Sequence, residues 1–348
     1  MNGKSIARVA LVILPVLFTA QACNFLFGDI LGGTDQGSGV RGVFKSVDAG
    51  ETWAAANESA GEVKLSDSQV YRLFIERYNP INILAATLDE GVFASSNEAE
   101  SWGILLPNFS TFEVFINPNN SQEIYVSGSS GKLATIFKSS NRGGTWEEVY
   151  RQPNVEAEVS AMAFDPVTPS TFYAGLSSGT LLKTTDGGET WRNLVDFGDR
   201  IRQIEIAQSP ARTIYVLLKG KGLKQSSDGG QSWASLLLPG NPASYNHLVL
   251  SPSNLVYVAT GNGLYQSLDS GKTWRRFLLP VQATSDDVSA VAVDPKNSRF
   301  IYAAIRYVFF KSADGGATWQ TVSLPTRRLI SDIVVNPNEP NKIYVGLR

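Results

Sequence analysis

An eight-residue motif that ends in tryptophan occurs seven times in the 348-residue chain, and its spacing constrains the fold more than any other feature. The motif reads Ser/Thr-x-Asp-x-Gly-x-Thr-Trp, with small variations between copies. It recurs about every 45 residues, a period typical of propellers and solenoids built from short strands. The Asp or Asn and the Trp of each copy are Asp48 and Trp53, Asn97 and Trp102, Asn141 and Trp146, Asp186 and Trp191, Asp228 and Trp233, Asp269 and Trp274, and Asp314 and Trp319.

Each copy predicts a hairpin turn. The Asp or Asn side chain can accept hydrogen bonds from backbone N–H groups of the turn, and the Gly two positions later can adopt a positive φ. The Trp then offers a large ring to bury between neighbouring sheets, with its N–H still able to reach a partner. The second copy has Ala99 where Gly is expected, which predicts a strained or altered turn.

A second repeated signature precedes each hairpin. An apolar strand ends in Asn, Asp or Ser followed by Pro, as at Asp165-Pro166, and a strand with a central Tyr, such as Tyr173, comes next. Since Pro fixes φ in the turn and the preceding side chain can close it, this segment reads strand, turn, strand. With the two strands of the Trp hairpin, each unit has four antiparallel strands.

The two ends of the repeat region predict ring closure. The first unit begins at its third strand, in the segment Gly42 to Trp53, and the last unit stops after two strands, Leu329 to Leu347. Two half units make one whole unit if they pair, and closure removes exposed sheet edges. The expected fold is all-β, a single seven-bladed β-propeller over residues 41–348.

These motifs resemble the Asp-box or BNR repeat family. The segment from Tyr173 to Trp191 is similar to units of sortilin-type propellers, xyloglucanases and photosystem II assembly propellers. The resemblance implies a shared scaffold and no particular activity. Sialidases of this kind would bring a Phe/Tyr-Arg-Ile-Pro motif and six blades, and this sequence has neither feature. Xyloglucanases set two propellers face to face around paired carboxylates, whereas a single ring is predicted here.

The N-terminal 40 residues predict export. Residues 1–22 have a basic start, an apolar stretch and small residues before Cys23, the only cysteine in the chain, and so read as a signal peptide. The position of Cys23 fits a bacterial lipobox, which predicts a lipidated cysteine and a flexible tether over residues 23–40. Ala20 departs from the usual Leu, so an ordinary signal peptidase and a secreted protein are the alternative. The expected location is outside the cytoplasmic membrane.

Composition and residue types argue against several chemistries. The formal net charge is −2 and no Lys/Arg-rich run is present, which disfavours nucleic acid. His247 is the only histidine, so a zinc site or a Ser-His-Asp arrangement would have too few members. We expect neither a metal nor a cofactor. Asp199, Asp286 and Asp287 are candidates for the carboxyl pair of a glycoside hydrolase, although solvated loop acids explain them more simply.

Loops on the face opposite the Asp boxes are the predicted binding region, because loops outside the hydrogen-bonded strands usually carry function. The candidate residues at this rim are Arg72, Arg202, Tyr245, Asn246, Asp287, Arg306 and Arg328. Each has an alternative role in satisfying backbone groups of the channel or as a solvated side chain. The sequence thus favours a non-catalytic, monomeric binding or scaffold protein for a protein or an extracellular glycan. The alternatives are a glycoside hydrolase, more xyloglucanase-like than sialidase-like, and a photosystem II assembly or stability factor if the source is photosynthetic.

Overall fold

The computed structural model describes residues 39–59, 61–153, 156–208, 213–281 and 287–348. In these ranges the chain forms 28 strands and one short 3-10 turn, Leu65–Asp67. None of the described segments contains a helix long and apolar enough to cross a membrane. The predicted signal peptide, Cys23 and most of the predicted tether lie outside the described residues.

Seven four-stranded antiparallel sheets form the blades, which we number in chain order. Blade 1 is β3 Val70–Ile75, β4 Ile83–Thr87, β5 Gly91–Ser95 and β6 Gly103–Pro107; blade 2 is β7 Ser110–Ile116, β8 Ile124–Ser130, β9 Leu133–Ser139 and β10 Glu147–Arg151. Blade 3 is β11 Val159–Phe164, β12 Phe172–Leu176, β13 Thr180–Thr184 and β14 Arg192–Asp196; blade 4 is β15 Ile201–Ile206, β16 Ile214–Leu218, β17 Leu223–Ser226 and β18 Ala234–Leu236.

The next two blades repeat the same order. Blade 5 is β19 Tyr245–Leu250, β20 Val256–Thr260, β21 Gly263–Ser267 and β22 Arg275–Arg276; blade 6 is β23 Val288–Val293, β24 Ile301–Ile305, β25 Val308–Ser312 and β26 Gln320–Ser323. In every blade the second strand is buried along its whole length or nearly so, and the fourth strand is the most exposed. The apolar core therefore lies between adjacent blades.

Blade 7 is built from both ends of the chain, as the sequence predicts. Its strands are β27 Ile330–Val335, β28 Ile343–Leu347, β1 Gly42–Ser46 and β2 Ala54–Ala55, in the order β2-β1-β28-β27. All five residues of β1 pair with β28, from Gly42 with Leu347 to Ser46 with Ile343. The predicted seven-bladed propeller is confirmed.

The Asp boxes cap their own turns through side-chain hydrogen bonds. In blade 7, the Ser46 hydroxyl accepts from Gly50 N at 2.8 Å and donates to Asp48 Oδ1. Asp48 Oδ1 also accepts from Thr52 N at 2.9 Å, and Oδ2 accepts from the Thr52 hydroxyl. The hydrogen bonds from Thr52 lower the pKa of Asp48 to about 2. Where Asn replaces Asp, as at Asn97, the amide nitrogen donates to the hydroxyl instead and the turn is kept.

The box tryptophans lie between neighbouring blades, as expected, but only Trp102 is fully buried. The other six are half-buried. The Trp53 ring, in blade 7, meets Phe309 of blade 6 edge-on with centroids 4.9 Å apart. Within the described residues, Trp102 and Trp191 donate their indole N–H to backbone carbonyls, and the other five indole nitrogens have no partner. Their contribution is therefore mainly apolar packing between blades.

One face of the ring carries both the Asp boxes and the Asx-Pro turns. The box residue Ala49 donates its N–H to Asn341 O at 2.8 Å, in the Pro-containing turn of the same blade. The equivalent bonds join Glu98 to Ile81 and Gly187 to Ser170. We call this the Asp-box face. Because the first strand of each blade ends in an Asx-Pro or Ser-Pro turn, it starts on the opposite face.

Candidate functional site

The first strand of each blade lines the central channel and carries the same β-bulge. The pairing register shifts between the first and third residues of this strand in six blades, and between Thr111 and Glu113 in blade 2. The residue between these two has no pairing partner on the neighbouring strand. These unpaired positions ring the channel opening on the face opposite the Asp boxes, which we call the mouth. They are Tyr71, Phe112, Ser160, Arg202, Asn246, Ser289 and Ser331.

The three serines of the mouth join neighbouring blades. The Ser160 hydroxyl donates to Ile201 O at 2.6 Å, and Ser331 donates to Val70 O at 2.5 Å, across the junction of blades 7 and 1. Ser289 makes the equivalent bond to Ile330 O. These hydroxyls are therefore used by the scaffold. Of the other four mouth residues Phe112 is buried, so Tyr71, Arg202 and Asn246 are the ones that can meet a ligand.

Aromatic and basic side chains meet on one side of the mouth. The rings of Tyr71 and Phe112 are in edge-to-face contact with centroids 5.3 Å apart. The Arg200 guanidinium lies 5.0 Å from the centroid of Phe112, and its other partner is Glu158. An aromatic surface beside guanidinium groups is a common binding surface for peptides and other planar polar groups.

Arg202 is the centre of this basic region. Its Nη1 donates to Asn246 Oδ1 at 3.2 Å, and Asn246 in turn donates to Asp287 Oδ1 at 2.6 Å. Within the described residues Arg202 has no carboxylate partner. Burial lowers the pKa of Arg202, and the nearby charges of Arg72, Arg200 and Arg348 lower it further. An anion bound here would relieve this repulsion.

The structure brings together three of the seven residues predicted at the rim: Arg202, Asn246 and Asp287. Tyr245 is buried between blades, with 5% of its surface exposed. Arg306 has a positive φ in the turn of blade 6, and Arg328 donates from Nε to Gly39 O at 3.1 Å. No hydrogen bond among the described residues connects these two arginines to Arg202.

Arg72, the remaining predicted residue, lies below the mouth in a polar layer that plugs the channel. The residues that follow the bulge in the seven inner strands form this layer: Arg72, Glu113, Ala161, Gln203, His247, Ala290 and Asp332. Arg72 Nη1 is 3.6 Å from Asp332 Oδ1, and Nε is 3.9 Å from Glu113 Oε2. Its Nη2 donates to Gln203 Oε1 at 3.3 Å. Only 6% of Arg72 is exposed, so its first role is to balance buried carboxylates.

His247, which the sequence identifies as the only histidine, belongs to this buried layer. Its Nδ1 lies 3.1 Å from both the N and the O of Val291, and its Nε2 lies 3.5 Å from Asp332 Oδ1. Burial holds the pKa of His247 well below its usual value, and the charge of Arg72 acts in the same direction. Since Asp332 also accepts backbone N–H groups from Leu73 and Ile333, this contact is structural.

Sequence reasoning missed Glu113, Gln203 and Asp332. The available signal was a charged or amide side chain inside a predicted inner strand. Burial raises the pKa of Glu113 to about 8, although Arg72 acts against the shift. Burial also raises the pKa of Asp332. Burial thus favours the protonated form of both carboxyls.

The candidate hydrolytic acids have other partners in the described part of the chain. Asp199 Oδ2 accepts the backbone N–H groups of Gly220 and Lys221, both at 2.7 Å, so it joins two loops. Asp287 accepts from Asn246, and Asp286 lies outside the described residues. No three His, Cys, Asp or Glu side chains are grouped as metal ligands in the described ranges.

A sequence model of the family described as photosynthesis system II assembly factor YCF48 matches residues 152–339, more than half of the chain. The chain belongs to this YCF48 family. Structures of similar fold include YCF48 bound to D1 peptide, with a TM-score of 0.60 and 14% identity over 81% of this chain and 92% of that one.

The YCF48-family chain is also similar to xyloglucanase-type proteins. The GH74 enzyme of Niastella koreensis has a TM-score of 0.68 and 19% identity, over 87% of this chain and 53% of that one. A probable oligoxyloglucan-reducing end-specific xyloglucanase of Neosartorya fischeri is 32% identical over 83 residues, 23% of this chain and 10% of the relative. The chain thus spans about half of the GH74 structure and a small part of the curated relative.

Proposed function

We propose that this chain is a non-catalytic binding protein that holds a peptide segment of a partner protein at the mouth. The observation that carries the proposal is Arg202, a partly buried cation with an amide partner and no carboxylate among the described residues. Tyr71, whose ring packs edge-on against the buried Phe112, offers apolar contact. An acidic side chain or a terminal carboxylate of a peptide fits this combination.

The mouth is suited to binding without rearrangement. Its residues stand on strands, and the serines Ser160, Ser289 and Ser331 tie these strands to their neighbours. A surface that is already ordered loses little conformational entropy when a ligand binds. The family relationship supports a peptide ligand, because a solved YCF48 structure holds a D1 peptide. If the source is photosynthetic, the proposal takes a more specific form, which is a role in photosystem II assembly.

A glycan is the second candidate ligand, favoured by the 83-residue match to the xyloglucanase-type relative. Hydrolysis would require two carboxyl groups about 5–10 Å apart with access to the substrate. Three carboxyl groups, Glu113, Glu205 and Asp332, converge in the channel. Two of them lie against Arg72, and Asp332 is almost fully buried. We therefore propose glycan binding, and not cleavage, as the alternative.

Charge reversal at the mouth tests the proposed function. Arg202→Glu is expected to weaken capture of the partner from solubilised membranes of the source at least tenfold, because a like charge then faces the ligand carboxylate. Arg192→Glu is the matched control, since Arg192 is an exposed arginine on the outer strand β14. A D1 peptide and xyloglucan oligosaccharides serve as defined probes. Equal capture by both variants would contradict the peptide site.

We further propose that Cys23 is lipidated and anchors the propeller outside the cytoplasmic membrane. The support is the sequence pattern around Cys23. Membrane fractionation of the full chain tests this directly. The protein with Cys23 intact is expected in the membrane fraction, and most of the Cys23→Ser variant is expected in the soluble fraction. Unchanged membrane retention of the Ser variant would refute the anchor and leave the secreted alternative.

A further inference from the structure

A funnel of about 720 Å³ opens on the Asp-box face, at the other end of the channel from the mouth. Its walls are the last residues of inner strands and the Pro-containing turns that follow them. This volume lies in the range of small-molecule sites. Arg77 stands among the lining residues after β3, with its guanidinium 6.0 Å from the ring centroid of Tyr78.

Among the described residues of the funnel wall, Glu205 is the one carboxylate. It occupies the fifth position of its inner strand, and the same position in other strands of the wall carries Phe74, Val249, Ala292 and Val334. The carboxylate therefore lies among apolar side chains, and Arg77, the other charged residue of the described lining, is exposed. A charged group among apolar side chains fixes the orientation of a ligand and selects its charge.

The hydrogen bonds of Glu205 leave one oxygen open to the funnel. Oε1 accepts from Gln203 Nε2 at 2.9 Å. Gln203 is itself fixed, because its amide also bonds both the N–H and the carbonyl of Leu248. Within the described residues, Oε2 has no hydrogen-bond partner. A donor that enters the funnel can therefore bind Oε2 without displacing an existing contact.

The charges around Glu205 are unbalanced. Three carboxyl groups of the inner strands, Glu113, Glu205 and Asp332, share the Arg72 guanidinium, while Arg202 lies at the mouth. His247 is neutral. The inner strands β11 and β23 carry alanine at the positions equivalent to Gln203 and Glu205, and so add no charge. Burial raises the pKa of Glu205 to about 7, against the effects of Gln203 and Arg72. A cation from outside would supply the missing positive charge.

We propose that the funnel binds an organic ammonium ion carried on an apolar body, with the ammonium group on Glu205 and the body against Phe74 and Val249. Anions are disfavoured at this depth because they would meet Glu205 among apolar side chains, whereas Arg77 is exposed at the funnel wall. The mouth and the funnel lie on opposite sides of the polar layer around Arg72. The ammonium site is therefore a different site from the peptide site at the mouth.

Three probes with the same body and different tips test the proposal: 4-phenylbutylamine, 4-phenylbutanol and 4-phenylbutyrate. Calorimetric titration of the intact protein at pH 8 is expected to show saturable binding of the amine at least tenfold tighter than the alcohol, with the carboxylate weakest. Equal affinity for the three probes, or absence of amine binding, would overturn the proposal.

Two variants and a pH series test whether Glu205 is the group that binds the ammonium ion. Glu205→Gln keeps the shape of the side chain, and we expect the affinity for the amine to fall to within about twofold of the affinity for the alcohol. Val249→Phe narrows the funnel and is expected to lower the affinity for both probes. The affinity of the unchanged protein for the amine is expected to fall about tenfold from pH 8 to pH 6, as Glu205 takes up a proton. An amine preference that survives in Glu205→Gln, or is insensitive to pH, would refute the site.

Discussion

Replacing Gly316 with alanine is expected to destabilise the propeller by about 3 kcal/mol or more. Gly316 is the box glycine of blade 6, with a φ of +84°. A Cβ at this position would lie 1.9 Å from Cε1 of Phe277. The Phe277 ring is 4% exposed and packs edge-on against Trp319, so it has little room to move. The strain of a left-handed backbone adds to this clash. Urea-induced unfolding at constant pH measures the loss.

The natural alanine of blade 1 is the matched control. Ala99 stands at the same position of its box, holds a φ of +66° and keeps the hydrogen bond from its N–H to the Ser95 hydroxyl. Ala99→Gly removes strain and also a buried methyl group, so we expect a change within about 1 kcal/mol. If Gly316→Ala proved as mild as Ala99→Gly, the inter-blade packing described for Phe277 would be wrong.

Arg72→Leu is expected to cost about 3–5 kcal/mol at pH 8, because it leaves Glu113 and Asp332 buried without their cation. The loss should shrink on acidification. Without Arg72, the pKa values of both carboxyls rise further above those of the unfolded chain. The folded state then binds more protons than the unfolded state between about pH 5 and 8, so stability falls as pH rises.

Urea unfolding at pH 5 and pH 8 tests this dependence. Arg151→Leu is the control, because Arg151 forms an exposed ion pair with Glu148 on the outer strand β10. Such pairs contribute about 0–1 kcal/mol. A loss for Arg72→Leu no larger than that for Arg151→Leu, or the same loss at both pH values, would show that the polar layer does not depend on Arg72.

The architecture was predictable because its signals are local. Each box contains the Asp, Gly and Trp that build one hairpin, and the half units at Gly42 and Leu329 indicate how the ring closes. Ala99 shows that even the irregular copy keeps its turn. The box tryptophans lie between blades as predicted, but within the described residues five of the seven indole N–H groups have no hydrogen-bond partner.

The channel was not predictable in the same way. Arg72 reaches Gln203 across 131 residues of sequence, and Asp332 reaches Leu73 N across 259 residues. These contacts exist only because inner strands of different blades converge when the ring closes. The sequence placed Arg202, Asn246 and Asp287 among the rim candidates, but it did not predict the hydrogen bonds that join them. Nor did it predict that Arg72 lies below them in a buried layer.

Photo-crosslinking from the two faces tests most directly the claim that partners bind at the mouth. A benzophenone amino acid is introduced at Tyr71 in the mouth or at Tyr78, which is 74% exposed near the funnel on the Asp-box face. We predict a crosslinked partner from Tyr71 that disappears when Arg202→Glu is added, and none from Tyr78. A partner crosslinked from Tyr78 alone, unaffected by Arg202→Glu, would contradict the account.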